Sequence, residues 1–288
     1  MSRVWIPGFN GMLGKAFVQK LSGHEILTSR IDVRDTISVI EFAKSRKPEY
    51  IINCTGYTNV DGAETDTTQS WQVNVDGPMN LGIAGKYCNA QVLHFSTDYV
   101  FGGDKSSYFE ADKPDPLNQY GYTKLIGENR FCTVSDGCFV IRTSWLFSEH
   151  GNNFVKTMLN LFRTKDQVRV VNDQFGRPTY APYLADVSTQ LLFDNERPSG
   201  LWHVANSGIT SWYQFSVEIY RVAKELKLID REVEIIPITT AEFPRKAVRP
   251  SFSVLETKRV EEHLGHALKP WKQSLRDCLV VLKELETK

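Results

Sequence analysis

Tyr120 and Lys124, in the run Asn118-Gln119-Tyr120-Gly121-Tyr122-Thr123-Lys124, carry side chains suited to moving a proton at a carbonyl. On a helix, two residues four apart lie one above the other on the same face. A phenol titrates at about 10, and a neighbouring ammonium is expected to bring it down toward working pH. Such a group can give and take the proton in carbonyl/alcohol interconversion. Upstream, the hydroxyl cluster Ser96-Thr97-Asp98-Tyr99 closes an apolar run, and Gly8-Phe9-Asn10-Gly11-Met12-Leu13-Gly14 opens the chain. A second Tyr-x-x-x-Lys, Tyr220 and Lys224, lacks that context. It follows Ser211-Trp212-Tyr213-Gln214, which reads as the capping box of an ordinary surface helix. The first pair is therefore the catalytic candidate and the second a structural one.

The elements needed to place these groups can be traced in the pattern. Strands are expected at Val4–Ile6, Glu25–Thr28, Tyr50–Cys54, Val92–Phe95 and Phe139–Arg142, with helices near Leu13–Leu21, Ile37–Arg46, Ser70–Tyr87 and Tyr120–Phe131. Such alternation predicts an α/β fold: a Rossmann-type, doubly wound parallel sheet with helices on both faces and ligands at the carboxyl ends of the strands. The glycine loop, Cys54-Thr55-Gly56 and Ser96-Thr97 all fall at such ends. Beyond residue 145 a helix near Asn153–Phe162, a strand at Val168–Val171, a strand within Gly200–Asn206 and helices at Trp212–Leu226 and Trp271–Leu285 are expected. Phe243–Pro250 reads as a loop. Residues 1–150 are expected to form a dinucleotide-binding domain that also receives strands from about 165–208. Residues 151–288 should form a smaller, mainly substrate-binding region interleaved with it.

Length and composition set bounds. The 288 residues suffice for one large domain or two smaller ones. Net charge is zero and no basic stripe is present, so nucleic acid and membrane surfaces lack an electrostatic footprint. No apolar run approaches a membrane span, and the first residues enter a strand with no signal peptide ahead, so a cytoplasmic location is expected. The five cysteines, Cys54, Cys88, Cys132, Cys138 and Cys278, contain no Cys-x-x-Cys. They read as reduced thiols rather than a disulfide frame. His263 and His266 should share a helical face without a third ligand, so no metal is expected.

The glycine loop has the spacing G-x-x-G-x-x-G between strand and helix, where backbone N–H groups can meet a pyrophosphate. The second strand ends in Thr28-Ser29-Arg30 with no acid in the slot that NAD sites use for the ribose 2′-OH. Ser29 and Arg30 offer partners for a 2′-phosphate, which favours NADPH while leaving NADH open. Asp32 and Val33 follow, where Asp32 could meet the adenine edge. Asp35 reads as the cap of the next helix.

Together these features resemble the dTDP-4-dehydrorhamnose reductase family of extended short-chain dehydrogenase/reductases. Nearly the whole chain takes part. The glycine loop and Tyr120–Lys124 belong to the broad superfamily. Asn53-Cys54-Thr55-Gly56-Tyr57-Thr58-Asn59-Val60-Asp61 and Arg249-Pro250 also take part, and more specific to the family are Ser96-Thr97-Asp98-Tyr99-Val100-Phe101, Arg142-Thr143-Ser144-Trp145, Gly151-Asn152-Asn153-Phe154 and Asp173-Gln174-Phe175-Gly176-Arg177-Pro178-Thr179. The resemblance implies NAD(P)H-dependent reduction of the 4-keto group of a dTDP-linked sugar to give dTDP-L-rhamnose, with Thr97, Tyr120 and Lys124 as the catalytic triad. Cofactor contacts are then expected from Gly8, Asn10, Gly11, Met12, Leu13 and Gly14, from Ser29, Arg30, Asp32 and Val33, and from Cys54, Thr55, Gly56 and Thr58, besides Tyr120 and Lys124. Asp98, Tyr99, Trp145 and Asn153 are expected to line the sugar-nucleotide pocket, with Arg249 nearer the nucleotide.

The chain also departs from the pattern. Ala16 and Pro182 stand where some members carry the glutamates of a metal-bridged dimer, so that assembly is not expected and a monomer or another homodimer is left. Gly62 replaces a frequent Lys and Phe252 a frequent Asn, which bears on the identity of the sugar nucleotide. Two alternatives follow: a reductase of another nucleotide-linked keto sugar, or a non-catalytic regulatory subunit resembling that of methionine adenosyltransferase. A dehydratase would need paired carboxylates beside the hydroxyl cluster, and only Asp98 is there.

Overall fold

Strands that are apolar along their whole length must be covered on both faces, and the central strands meet that demand with helices on either side. The computed structural model of the protein describes residues 1–194 and 199–287. Along the chain run β1 (Arg3–Trp5), β2 (Glu25–Leu27), β3 (Tyr50–Asn53), β4 (Gln91–Thr97), β5 (Phe139–Thr143), β6 (Gln167–Val171), β7 (Gly200–His203) and β8 (Glu234–Ile238), besides shorter pairings. All but β6 and β8 form one six-stranded sheet in the order β7-β5-β4-β3-β1-β2. Every pairing in it is parallel. The protein is thus an α/β protein with the expected parallel sheet.

The main helices are α1 (Met12–Lys20), α2 (Thr36–Arg46), α3 (Gly77–Cys88), α4 (Gln119–Val134), α5 (Phe154–Thr164), α6 (Ala181–Leu192), α7 (Trp212–Glu225) and α8 (Trp271–Glu286). Side chains alternate across β1: Val4 and Ile6 join Phe17, Leu93 and Leu184 in one core, while Trp5 joins Val39, Leu81 and Phe131 in another. A third core gathers Phe147, Phe162, Phe215, Ile219, Trp271 and Leu275 from the second half of the chain. There β6 pairs in parallel with β8. The strand order reverses beside β1, with β2 on one side and β3 on the other, and this opens a crevice at their carboxyl ends.

Several expectations are corrected. The expected helix over Ser70–Tyr87 is not uniform: Thr67–Trp71 and α3 flank a π-helical segment, Gln72–Asp76. Such a bulge admits an extra residue per turn and often marks a functional place. Cys132 and Cys138 are joined by a disulfide, so only Cys54, Cys88 and Cys278 are free thiols. The pair brackets the turn between α4 and β5, and sequence spacing alone does not reveal that the turn folds back on itself. His266 lies past the end of Lys258–Leu264, which stops at a left-handed Gly265, so it does not share a helical face with His263. Helix α6 and strand β8 carry weak sequence signals because each contains a proline, Pro182 in a first turn and Pro237 in a strand. Among the described residues no helix is long and apolar enough to cross a membrane, and no three His, Cys, Asp or Glu side chains converge as metal ligands.

One buried ion pair ties α4 to β5. Arg142 Nε and Nη2 donate to Glu128 Oε1 and Oε2 at 2.9 and 2.7 Å. Both side chains are buried. Removing one partner leaves a buried charge uncompensated, so Glu128→Gln is expected to cost about 3–5 kcal/mol of stability. Equilibrium unfolding in urea measures this, and a loss below about 1 kcal/mol would place the pair with exposed bridges instead.

Candidate active site

Helix α4 starts at Asn118, whose Oδ1 accepts from Gly121 N at 2.8 Å and whose Nδ2 donates to Val248 O at 2.8 Å. This cap sets the phase of the first turns, which carry Tyr120 and Lys124 toward the end of β4. The approach is close: a Cβ on Gly121 would collide with Tyr99 O. The missing side chain lets α4 rest on the 3-10 turn Asp98–Val100. Thr97 Oγ1 donates to Asp98 Oδ1 at 3.1 Å and accepts from Tyr99 N at 3.2 Å. The rings of Tyr99 and Tyr120 meet edge to face with centroids 6.0 Å apart.

Burial dominates the electrostatics. It pushes the Tyr120 phenol up to about 12, aided by the Asp98 charge and opposed by the Thr97 hydroxyl. It brings the Lys124 ammonium down to about 8, against the pull of Glu128. Lys124 Nζ donates to Phe95 O at 2.6 Å. The expectation that Lys124 lowers the phenol is therefore corrected: the ammonium is engaged by a carbonyl, and desolvation of the phenolate wins. Tyr120 is accordingly protonated at neutral pH, the form a proton donor needs. Burial also raises the Asp98 carboxyl to about 7, despite the Ser253 and Thr97 hydroxyls nearby.

The glycine loop is built as a cradle. Gly8 has φ +78°, and a Cβ on it would lie 2.7 Å from Cys54 C; one on Gly14 would strike Gly8 O. The loop therefore lies flush on the end of β3. Gly11 caps α1 without any side-chain bond, leaving first-turn N–H groups to an anion. A cavity of about 520 Å³ runs from this loop to Thr97, Tyr120 and Lys124. Its lining includes Gly11, Met12, Leu13, Cys54, Thr55, Gly56, Thr58, Thr97, Asp98, Tyr99, Tyr120, Lys124 and Trp145. Gly8 shapes the loop and Asn10 is exposed at its rim. These features fit a dinucleotide with its pyrophosphate at α1.

The residues after β2 sit apart from that lining. Ser29 Oγ accepts from Trp5 Nε1 at 3.1 Å, and Arg30 is exposed. Asp32 is exposed and engaged by Arg34, whose Nη2 donates to it at 2.6 Å. Val33 is a core residue. Asp35 caps α2 by accepting from Ile37 N and Ser38 N.

A second cavity of about 570 Å³ adjoins the first, and Tyr99 and Trp212 line both. Arg169, Arg245 and Arg249 project into it. Asp61 accepts from Arg249 Nη1 and Nη2 at 2.5 and 2.9 Å and from Ala247 N at 3.1 Å. The Arg249 guanidinium holds the Asp61 carboxyl below its ordinary range. Trp145 has φ +46°, a strain of about 1–3 kcal/mol for a bulky residue, and stacks on Trp212. Asn153 lines neither cavity: it caps α5 by accepting from Lys156 N and donates to Ser148 O at 2.7 Å. Its neighbour Asn152 lines the first cavity instead.

Two further residues escaped the sequence patterns. Asn74, in the π segment and buried, accepts from Tyr57 N at 2.9 Å and donates to Thr123 Oγ1 at 3.1 Å. It ties the loop after β3 to α4. Its signal was a polar residue inside an apolar helix. Trp212 had been absorbed into a capping pattern. Ser211 does cap α7, and Tyr220 and Lys224 do secure the chain near Glu232, at 3.0 and 2.8 Å.

Fold and site together define an NAD(P)-dependent oxidoreductase of the short-chain dehydrogenase/reductase type. The model of the family described as the RmlD substrate binding domain matches residues 2–284. The chain belongs to this family, that of the dTDP-4-dehydrorhamnose reductases. It is 36% identical over 288 residues to the dTDP-4-dehydrorhamnose reductase of Aggregatibacter actinomycetemcomitans, covering 96% of this chain and 98% of that one. The structure of a dTDP-4-dehydrorhamnose reductase from Clostridium acetobutylicum superposes with a TM-score of 0.92 at 37% identity, over 98% of this chain and 99% of that one. The Bacillus anthracis reductase, solved in complex with NADP, gives a TM-score of 0.91 at 32% identity, over 97% and 99%.

Tyr120→Phe should keep cofactor affinity and lose turnover by about 100- to 10,000-fold, the range for a positioned acid. Tyr220→Phe should be almost silent in the same steady-state assay; equal losses in both variants would mean the wrong pair had been chosen. Asp98 gives a pH-dependent test. Its carboxyl pKa is raised in the fold, so its contribution to stability is complete below the unfolded value and is lost as pH rises through about 7. Asp98→Asn should thus raise the melting temperature at pH 8 and have little effect near pH 4. A melting difference independent of pH would contradict this assignment.

Proposed function

We propose that this chain catalyses the NADPH-dependent reduction of the 4-keto group of dTDP-4-dehydrorhamnose to give dTDP-L-rhamnose. The observation carrying the proposal is the junction of two chambers: the first holds the glycine cradle with Thr97, Tyr120 and Lys124, and the second, adjoining at Tyr99 and Trp212, presents three arginines. A sugar in the first and a nucleotide diphosphate in the second would span them, with guanidinium groups matching phosphate oxygens.

A nicotinamide dinucleotide, when bound, supplies the hydride. The residues of the chain do the rest. Tyr120 donates its phenolic proton to the ketone oxygen. The Thr97 hydroxyl, turned away from Asp98, would donate its one hydrogen bond to that oxygen and stabilise the negative charge developing there. Lys124 holds positive charge beneath the phenol and would bind the cofactor ribose. Asp98, Tyr99 and Trp145 bound the sugar, and Arg249 the nucleotide side. Residues 1–150 would act mainly on the cofactor and residues 151–288 mainly on the substrate. The names of the relatives support the reductase reading. The NADP complex of one of them, with the absence of an acid at the end of β2, supports NADPH.

The test follows NADPH oxidation with dTDP-, UDP- and GDP-linked 4-keto-6-deoxy sugars and identifies the product by NMR. Turnover should be greatest with the dTDP substrate and yield the L-rhamnose configuration. Activity only with another nucleotide sugar, or none with any, would refute it. In the same assay Arg30→Ala should raise the KM for NADPH and barely change that for NADH. An unaltered NADPH/NADH preference would remove Arg30 from the site.

A further inference from the structure

The wall between the two chambers is a pair of tryptophans. Trp145 follows β5 and Trp212 opens α7; their rings are parallel within 6°, with centroids 3.6 Å apart. The Trp145 backbone sits at φ +46°, a region that bulky side chains leave unless their surroundings hold them. Gly176 is part of that hold, because a Cβ there would come within 2.5 Å of the Trp145 indole. The other part is Trp212. It is anchored by Ser211, which caps α7 through Gln214 N at 3.1 Å and donates to Asn172 Oδ1 at 2.6 Å. It also packs on Phe154, centroids 4.6 Å apart. Trp145 borders the chamber holding Tyr120, whereas Trp212 borders both.

We propose that Trp212 is a positioning residue for the reduction, its stack holding Trp145 as the wall that sets the keto-sugar ring square to Tyr120. The proposal rests on the reductase reading above. An apolar indole face suits the C–H face of a sugar ring, and its position decides the distance from the ketone oxygen to the phenol. Losing the stack frees Trp145 to relax from its strained backbone. The sugar then still binds, through its nucleotide in the second chamber, but in poorer register for proton transfer.

The test compares full-length wild type, Trp212→Ala and Trp212→Phe, with NADPH and dTDP-4-dehydrorhamnose. Two stacked indoles give an exciton couplet in far-ultraviolet circular dichroism, which reports the stack without any turnover. Trp212→Ala should abolish the couplet and lower kcat by about 10- to 100-fold, as misplacement of a substrate does. KM for the sugar nucleotide and NADPH affinity should change little, while the melting temperature falls because the indole packs on Phe154 and Phe215. Trp212→Phe, which can still stack, should recover most of kcat. Undiminished kcat in Trp212→Ala, failure of Phe to recover it, or a parallel loss of NADPH binding would each overturn the proposal. Wild type without turnover on any keto-sugar nucleotide would overturn the reductase reading and this proposal with it. Wild-type turnover that Trp212→Ala leaves intact would overturn this proposal alone.

Discussion

Close contact between the first turn of α4 and the turn that ends β4 is the constraint on which the site depends. Tyr120 and Thr97 come from different elements, and the helix carrying the one rests on the turn that follows the other. Here Gly121 removes the side chain that would keep α4 away from Tyr99 O. The Asn118 cap then fixes which face of α4 turns inward. Behind that contact, Asn74 and the Glu128–Arg142 pair fasten α4 to the loop after β3 and to β5. The π segment is what places Asn74 within reach of both Tyr57 and Thr123.

The same closeness governs the electrostatics. Groups that are this buried pay for charge with desolvation, so the phenol, the ammonium and the Asp98 carboxyl all shift toward their neutral forms. The result is a protonated tyrosine on the same helix as a lysine that still carries its proton at neutral pH. The second chamber works by the opposite means. Its arginines are partly exposed, and Asp61 holds Arg249 in a fixed direction.

Much was legible in the residue order because local rules decide it. Apolar strands alternating with helical patterns specify a parallel sheet, and ligand loops at strand ends follow from its handedness. The glycine loop, Cys54-Thr55-Gly56 and Ser96-Thr97 could be placed at those ends, and Tyr120 and Lys124 on one helix, from the pattern. Even the two Tyr-x-x-x-Lys pairs could be told apart by what precedes each. What the order of residues could not settle is where side chains spend their hydrogen bonds and how deeply they are buried. Asn153 caps a helix, Asp32 faces Arg34, and Lys124 donates to Phe95 O; each partner except Arg34 depends on local backbone geometry or on a distant strand. The direction of the Tyr120 shift, the Cys132–Cys138 bond and the Trp145–Trp212 stack likewise arise only when segments far apart in sequence, or turned back on themselves, are brought into contact. Periodicity and spacing act over a few residues, whereas desolvation and packing are properties of the closed tertiary structure.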